Sequence, residues 1–255
     1  MSTAIERLVL NDQAKQNIIY DEHLLRYQLA SQLVKNKVVL DVACGSGYGS
    51  RLLAQAQAQQ VVGVDIDAKT VQQAQKKYPA NNLQYITDSA ETLQKLQSKS
   101  FDVVVSFETI EHLQNYQSYL QALRRVMKDD GTAIISTPNK TAFTEVNNPF
   151  HVKEFTEAEL VLALRKIWTH VQICQQSNAL ASVITVNEEP ALAHFSQEPQ
   201  QALYFVAICS NAPLQVELGN VASLNPAALV RLYQHPGLKL ANWLYKVLMA
   251  VRIIK

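Results

Sequence analysis

The sequence predicts an α/β fold in which helices cover both faces of a mostly parallel β-sheet. Short runs of β-branched and apolar residues recur along residues 38–140, and segments with helical spacing separate them. The first run ends in a turn with three glycines, and the second ends in an acidic residue. Regular alternation of buried strands with helices is typical of parallel sheets, because each connection between parallel strands crosses one face.

The first strand and the turn after it form the strongest local signal in the chain. Val38–Val42 is an apolar run that contains Asp41, and Gly45, Gly47 and Gly49 follow at alternate positions before a helical segment. Glycine lacks a Cβ, so a glycine turn between a strand and a helix lets the backbone approach a ligand closely. The spacing differs from the Gly-x-Gly-x-x-Gly of dinucleotide-binding turns, because the third glycine comes one position early.

The second strand is predicted over residues 61–65 and leads into Ile66 and Asp67. Asp65 follows the glycine turn by about twenty residues, a position from which a carboxylate can accept hydrogen bonds from both hydroxyls of a ribose. Asp67 directly precedes a helical segment and is predicted to be its N-cap. This assignment leaves Asp65 available for a ligand.

Three further strands are predicted in the same half of the chain. Residues 83–87 lead into Asp-Ser-Ala, residues 101–107 end in Ser-Phe, and an Asp-Gly turn precedes a run over residues 132–139. These motifs resemble those of the class I S-adenosylmethionine-dependent methyltransferases, whose first motif is similar to Asp-x-x-x-Gly-x-Gly-x-Gly at residues 41–49.

The resemblance implies a Rossmann-like sheet of seven strands with an antiparallel last strand, and S-adenosyl-L-methionine as the cofactor. It also implies which residues bind that cofactor. They lie in the segment before the first strand, in the glycine turn and at the ends of the following strands: Tyr20, Arg26, Asp41, Gly45, Gly47, Asp65, Ile66, Asp88, Ser89, Ala90 and Phe107.

The segment before the first strand has helical spacing over residues 18–30. Its Glu-His-Leu-x-Arg-Tyr motif, together with the glycine turn, resembles a bacterial subgroup associated with surface-polysaccharide assembly. Tyr20, His23 and Arg26 are therefore candidates for contacts with the methionine end of the cofactor or with the acceptor. Arg26 could pair with the cofactor carboxylate, because a guanidinium is a two-pronged donor. Alternatively, it pairs with an acidic neighbour on its own helix, Asp21 or Glu22.

Two segments after the cofactor strands hold candidate catalytic histidines. His112 ends the motif Glu-x-x-Glu-His at the edge of the fourth strand, and this motif resembles ubiquinone-type O-methyltransferases, some of which hold a divalent cation there. We expect instead that Glu108 and Glu111 cap a helix, that His112 shapes the cleft, and that no metal is bound. The second is His151, in Asn-x-Phe-His-x-x-Glu-Phe-Thr, which resembles the surface-glycan subgroup.

An imidazole titrates near neutral pH, which suits proton abstraction, so His151 is predicted to be the general base or the group that orients the acceptor. A capping box of Thr156 and Glu159 is predicted to open the next helix. Residues 171–174 and 203–209 are predicted to be strands six and seven, and the resemblance places the seventh strand antiparallel between the fifth and sixth. The segment 175–202 between them is predicted to be an acceptor-pocket insertion or a lid.

The chain is predicted to divide into a methyltransferase domain over residues 1–210 and a C-terminal extension over residues 211–255. Residues 1–35 of the domain are predicted to form an N-terminal helical cap. The extension contains apolar and basic residues at helical spacing from residue 239 onward. This amphipathic helix could lie on a membrane surface, contact a partner protein or fold back on its own domain.

Composition narrows the classes of function. The net charge of +1 gives no reason to expect a nucleic-acid partner. Three widely separated cysteines are predicted to be reduced and buried, as in a cytoplasmic protein, and no segment is apolar enough to span a membrane. The C-terminal helix could hold such a protein at the inner face of the membrane.

The predicted function is methyl transfer from S-adenosylmethionine to a sugar hydroxyl of a surface glycan or its precursor. The alternatives are O-methylation of a quinone or phenolic small molecule, and a non-catalytic cofactor-binding partner in a glycan-assembly complex.

Overall fold

The computed structural model describes residues 18–142, 148–178 and 202–214. They form an α/β domain whose elements follow in the order α1 (Ile18–Ser31), β1 (Val38–Val42), α2 (Tyr48–Gln55), β2 (Gln60–Asp65), α3 (Ala68–Lys77), β3 (Leu83–Thr87), β4 (Phe101–Phe107), a short 3-10 helix (Ile110–His112), α4 (Tyr116–Val126), β5 (Met127–Pro138), α5 (Glu157–Leu164), β6 (His170–Gln176) and β7 (Tyr204–Ser210).

The seven strands form one sheet in the order β3-β2-β1-β4-β5-β7-β6. The pairs from β3 to β5 are parallel, and β7 lies antiparallel between β5 and β6. This arrangement confirms the predicted Rossmann-like sheet, including the inserted last strand. The strand order reverses between β1 and β4, and open α/β sheets bind their ligands at the carboxyl ends of the strands beside such a point.

The strands direct alternate side chains into two cores on opposite faces of the sheet. In β1, Val39 packs with residues of α1 and α2, whereas Leu40 and Val42 pack with residues of α4 and α5. Because both faces are covered, the parallel strands consist almost entirely of apolar residues. Asp41 is the fully buried exception in β1, and it lies at the carboxyl end where a ligand site is expected.

Helix caps and strand limits agree with most of the local predictions. Asp67 caps α3 by accepting the Lys69 N–H, and Thr156 and Glu159 form the predicted capping box at α5. β5 begins earlier than predicted, at Met127, since the chain passes directly from α4 into the sheet and its pairing with β4 is irregular before Thr132. None of the helices in the described part of the chain has the length and apolar character that crossing a bilayer requires.

The cysteine prediction holds for two of the three residues. Cys44 and Cys209 are buried thiols, whereas Cys174 on β6 is partly exposed. The predicted C-terminal extension and its amphipathic helix lie outside the described residues, apart from residues 211–214. The same is true of residues 1–17 of the N-terminal cap and of most of the predicted insertion between β6 and β7.

Candidate cofactor and acceptor site

The backbone is unusual at the carboxyl ends of β1 and β4. After β1, Ala43, Gly45 and Gly47 have φ angles of 58°, 52° and 84°, and after β4 Glu108 has a φ of 49°. Residues other than glycine rarely adopt this left-handed region, and such strain concentrates at ligand and active sites. The two strained turns flank the point where the strand order reverses, so they mark this edge as the candidate site.

The three glycines of the first turn have different surroundings. A Cβ on Gly45 would meet nothing within 4 Å, so the backbone there borders open space. A Cβ on Gly47 would lie 2.7 Å from the Cβ of Ala74 and 2.8 Å from the hydroxyl of Tyr85. At Gly49 a Cβ would overlap the ring of Tyr27. The missing side chains of Gly47 and Gly49 therefore make room for neighbouring protein groups, whereas Gly45 borders open space.

Asp65 ends β2 beside this turn, with 5% of its surface exposed. Its Oδ2 accepts the N–H of Gly45 at 3.0 Å, and its Oδ1 accepts the N–H of Asp67 at 3.0 Å. Two backbone donors thus fix the carboxylate in place. Ile66, the next residue, exposes 60% of its surface, which is unusual for an isoleucine that follows a buried strand.

Three of the predicted cofactor-binding residues, Asp88, Ser89 and Ala90, follow β3, next to the end of β2. The N–H of Asp88 donates to the carbonyl of Asp65 at 3.1 Å, which joins the two strand ends. The Asp88 carboxylate accepts the N–H groups of Ser89 and Lys95, each at 2.8 Å, and so closes its own turn. Ser89 and Ala90 are partly exposed.

Asp41 lies inside the protein and contacts the first two helices. Its carboxylate accepts the hydroxyl of Ser50 at 2.6 Å and the hydroxyl of Tyr27 at 3.2 Å. Burial raises the pKa of Asp41 to about 7, although these two hydrogen bonds act in the opposite direction. Any contact of this carboxylate with the cofactor, which the resemblance implies, must therefore compete with two protein donors.

The raised pKa of Asp41 predicts a pH dependence of stability. Between about pH 4 and pH 7 the folded protein holds a proton on Asp41 that the unfolded chain releases, so the free energy of unfolding falls as pH rises. The expected loss is on the order of a few kcal/mol.

Urea unfolding of wild type and Asp41→Asn across this pH range measures the effect, because asparagine is neutral throughout. We expect the variant to gain stability relative to wild type as pH rises. A constant difference between the two proteins would contradict the prediction.

Arg26 lies on α1 with only 1% of its surface exposed. Its Nε donates to the side-chain oxygen of Gln176 at 2.8 Å, its guanidinium covers the Tyr204 ring at 4.2 Å, and one Nη lies 3.6 Å from a Glu108 oxygen. In the described part of the chain, neither Nη atom has a hydrogen-bond acceptor. A buried guanidinium with unsatisfied donors is costly, so this position suits an anionic group of a ligand.

Two other predicted residues, Phe107 of β4 and Tyr20 of α1, contact aromatic rings of α1 and α2. Phe107 is buried, and its ring centre lies 5.0 Å from that of Tyr27. The ring of Tyr20 is partly buried and lies 6.0 Å from that of Tyr48. Burial, aided by the nearby Arg26 charge, lowers the pKa of His23 to about 3, so its imidazole stays neutral.

The structure brings the two candidate catalytic histidines together, with ring centres 5.0 Å apart. Nδ1 of His112 lies 3.0 Å from the carbonyl oxygen of Phe150, and since a carbonyl only accepts, this nitrogen carries the proton. In neutral His112 the Nε2 atom then holds the lone pair. Among the described residues it has no hydrogen-bond partner.

Both ring nitrogens of His151 have protein partners. Nδ1 lies 2.8 Å from a Glu154 oxygen, and Nε2 lies 3.0 Å from the amide nitrogen of Asn148. The Asn148 oxygen accepts the N–H of Phe150, so its amide group is turned toward the imidazole and donates to Nε2. His151 therefore braces the loop that carries Phe150, the residue that orients His112.

The prediction that Glu108 and Glu111 cap a helix is wrong. Only a three-residue 3-10 helix follows β4, and the residue before it is Thr109. Glu108 accepts the Ser136 hydroxyl at 2.6 Å, and Glu111 is fully buried with one oxygen near the Thr137 hydroxyl at 3.2 Å. Burial, with the Glu108 charge as a second cause, raises the pKa of Glu111 well above its usual range.

One ligand atom from each of Glu111, His112 and His151 lies within 4.8 Å of the others, a spacing that a cation could use. A buried Glu111 oxygen has no hydrogen-bond partner among the described residues and fits such a role, whereas the raised pKa of Glu111 favours the neutral acid. That no cation is essential for activity stays a prediction.

Sequence reasoning missed the contacts that hold α1 in place. Glu22 is 4% exposed and accepts the hydroxyl of Tyr204 at 2.8 Å, and its backbone carbonyl accepts the side-chain amide of Gln176 at 3.0 Å. These partners lie more than 150 residues away in the chain, so no local pattern could have indicated them.

Part of this chain is similar in sequence to known methyltransferases. Residues 40–135 match the family model described as a methyltransferase domain. A protein of Mycolicibacterium smegmatis named as a probable S-adenosylmethionine-dependent methyltransferase is 34% identical over 151 residues, or 58% of this chain and 57% of the relative. A ubiquinone biosynthesis O-methyltransferase of Pelagibacter ubique is 30% identical over 158 residues, or 61% of each chain. This chain thus spans little more than half the length of these relatives.

Solved structures share the fold. A SAM-dependent methyltransferase from Archaeoglobus fulgidus has a TM-score of 0.56 at 18% identity, covering 76% of this chain and 94% of that one. Another from Thermotoga maritima has a TM-score of 0.57 at 15% identity, covering 79% and 96%. At these identities the likeness concerns the fold alone. Over residues 40–135 this chain is similar in sequence to methyltransferase domains, and its fold is that of S-adenosylmethionine-dependent methyltransferases.

Proposed function

We propose that this chain transfers the methyl group of S-adenosyl-L-methionine to a hydroxyl of its acceptor. The observation that carries the proposal is the fixed carboxylate of Asp65 beside the open backbone of Gly45. A carboxylate in this position suits the two ribose hydroxyls, and the exposed Ile66 offers an apolar surface to the adenine. Asp88, Ser89 and Ala90 are assigned to the edge of the adenine, because this segment is joined to Asp65 through the backbone of Asp88.

The methionine end is assigned to the space bordered by α1 and the ends of β1 and β4. Arg26 would bind the cofactor carboxylate, because its Nη atoms are buried donors without acceptors among the described residues. Tyr20 and Phe107 are assigned to the apolar wall near this end. Asp41 would act indirectly. It accepts the hydroxyl of Ser50 and so holds α2, the helix that follows the glycine turn.

The cofactor supplies an electrophilic methyl group on a good leaving group, so the protein mainly positions the acceptor oxygen and excludes water. An alcohol is a poor nucleophile near neutral pH and gains from a general base. We assign this role to His112, because the Phe150 carbonyl orients its ring and leaves Nε2 to accept a proton. His151, which the sequence favours as the base, is assigned to the loop that holds Phe150 and to orientation of the acceptor.

A sugar hydroxyl of a surface glycan or its precursor is the first candidate acceptor. It rests on the resemblance of the motifs around His23 and His151 to the surface-glycan subgroup. A quinone or phenolic small molecule is the second candidate. The relatives named as ubiquinone biosynthesis O-methyltransferases favour it, as do Phe150 and Val152, which expose 41% and 46% of their surfaces beside the histidines.

Calorimetry and turnover test the proposal together. We expect the protein to bind S-adenosylmethionine and not NAD, since the turn lacks the spacing for a pyrophosphate. Methyl transfer from labelled cofactor should appear with one class in a panel of sugar and phenol acceptors. Exhaustive chelation should leave turnover intact.

Each negative result has a distinct meaning. Binding of NAD without S-adenosylmethionine would refute the cofactor assignment. Binding of S-adenosylmethionine without turnover on any acceptor would favour the non-catalytic alternative. Loss of turnover on chelation and its return with magnesium would refute the metal-free mechanism and favour the phenolic acceptor.

A further inference from the structure

The third glycine of the first turn, Gly49, leaves room for a side chain of the neighbouring helix α1. Gly49 lies in the first turn of α2 and is buried, and its φ is not among the positive values that Gly45 and Gly47 adopt. The backbone there does not require glycine, and alanine would be the better helix former. A Cβ at this position would overlap the ring of Tyr27. The absence of a side chain on Gly49 therefore leaves a space that the Tyr27 ring of α1 fills. We call this space the seat of Tyr27.

Tyr27 cannot leave this seat by a small rotation of its ring. The ring centre lies 5.5 Å from that of Tyr48 and 5.0 Å from that of Phe107, in edge-to-face contacts on two sides. Its hydroxyl donates to Asp41 at 3.2 Å, and only 5% of the residue is exposed. A side chain on Gly49 would therefore have to displace α1 itself.

Arg26 directly precedes Tyr27 in α1, so its position depends on the same packing of α1 against the sheet. Its guanidinium is fixed by Gln176 and by the Tyr204 ring, but only while α1 stays against the ends of β6 and β7. We propose that Gly49 and Tyr27 are positioning residues, which hold α1 so that Arg26 meets the carboxylate of the methionine end. This inference rests on the proposed cofactor site, and the seat itself can be tested without any ligand.

Hydrogen exchange in the ligand-free protein tests the seat. We expect Gly49→Ala to increase amide exchange over α1 by about tenfold or more, with β1 and β4 unchanged. The same substitution in a Tyr27→Ala background should leave α1 exchange unaltered and raise the melting temperature, because alanine favours α2 and no ring opposes its Cβ. Wild-type exchange in Gly49→Ala, or equal melting shifts in both backgrounds, would overturn the proposal.

Binding of two ligands tests the consequence for Arg26. S-Adenosylhomocysteine carries the amino-acid end, and methylthioadenosine lacks it. We expect Gly49→Ala to lower the affinity for S-adenosylhomocysteine by about tenfold, as loss of a charge-assisted contact would. The affinity for methylthioadenosine should change less than about twofold. Arg26→Gln should show the same pattern, and the double variant should be no weaker than either single variant.

Equal weakening of both ligands by Gly49→Ala would mean that the glycine acts through the turn backbone, which overturns the proposal. Failure of the wild type to bind either ligand would instead refute the proposed function. The exchange experiment would still decide whether Tyr27 is seated on Gly49.

Discussion

Replacing His112 with alanine is expected to lower the single-turnover rate of methyl transfer by about 10²- to 10⁴-fold, the range for loss of a general base. The reason is geometric: Nδ1 is committed to the Phe150 carbonyl, so Nε2 is the nitrogen that can take the acceptor proton. Single-turnover rates separate this chemistry from product release. Affinity for S-adenosylhomocysteine should change little, because His112 is assigned to the acceptor and to no group of the cofactor.

The control for this experiment is His151→Ala, which removes the neighbouring imidazole. We expect this variant to lose rate through disorder of the Phe150 loop and to retain the pH dependence of the wild-type rate. The His112 variant should lose that pH dependence. The opposite result, with pH dependence lost only on replacing His151, would restore the sequence-based assignment of the base to His151.

Replacing Asp65 with alanine is expected to weaken the binding of S-adenosylhomocysteine by on the order of 1.5–3 kcal/mol, about 10- to 150-fold. The carboxylate is the only group in the proposed site assigned to both ribose hydroxyls. Its loss also frees the N–H groups of Gly45 and Asp67 that it fixes. Isothermal calorimetry measures the effect directly.

The matched control is Asp67→Ala, two residues further along the chain. Its carboxylate caps α3 through Lys69 and Thr70 and faces no proposed ligand group. We expect this variant to lose about 1 kcal/mol of stability and to keep its ligand affinity. Equal affinity losses in the two variants would show that Asp65 acts through the local fold alone.

Local patterns were sufficient to predict most of the sheet. Apolar runs predict β1, β2, β4 and the core of β5, because a parallel strand that is covered on both faces must be apolar on both. The caps at Asp67 and Thr156 were predictable for a similar reason, since each depends on residues within one helical turn. The motif Glu-x-x-Glu-His was a poorer guide, because a short 3-10 helix and a strained Glu108 follow the strand.

The sequence by itself determined the fold class, the succession of strands along the chain and the edge at which Asp65 and Gly45 lie, because these follow from local periodicity and from the topology of parallel sheets. The antiparallel place of the last strand was implied by the family resemblance alone. Only the tertiary structure decided the partners of individual side chains. It placed Tyr27 on Gly49, held Arg26 against β6 and β7, and paired His112 with the Phe150 carbonyl. These contacts join residues far apart in sequence, and their geometry depends on packing between elements, which no local pattern encodes.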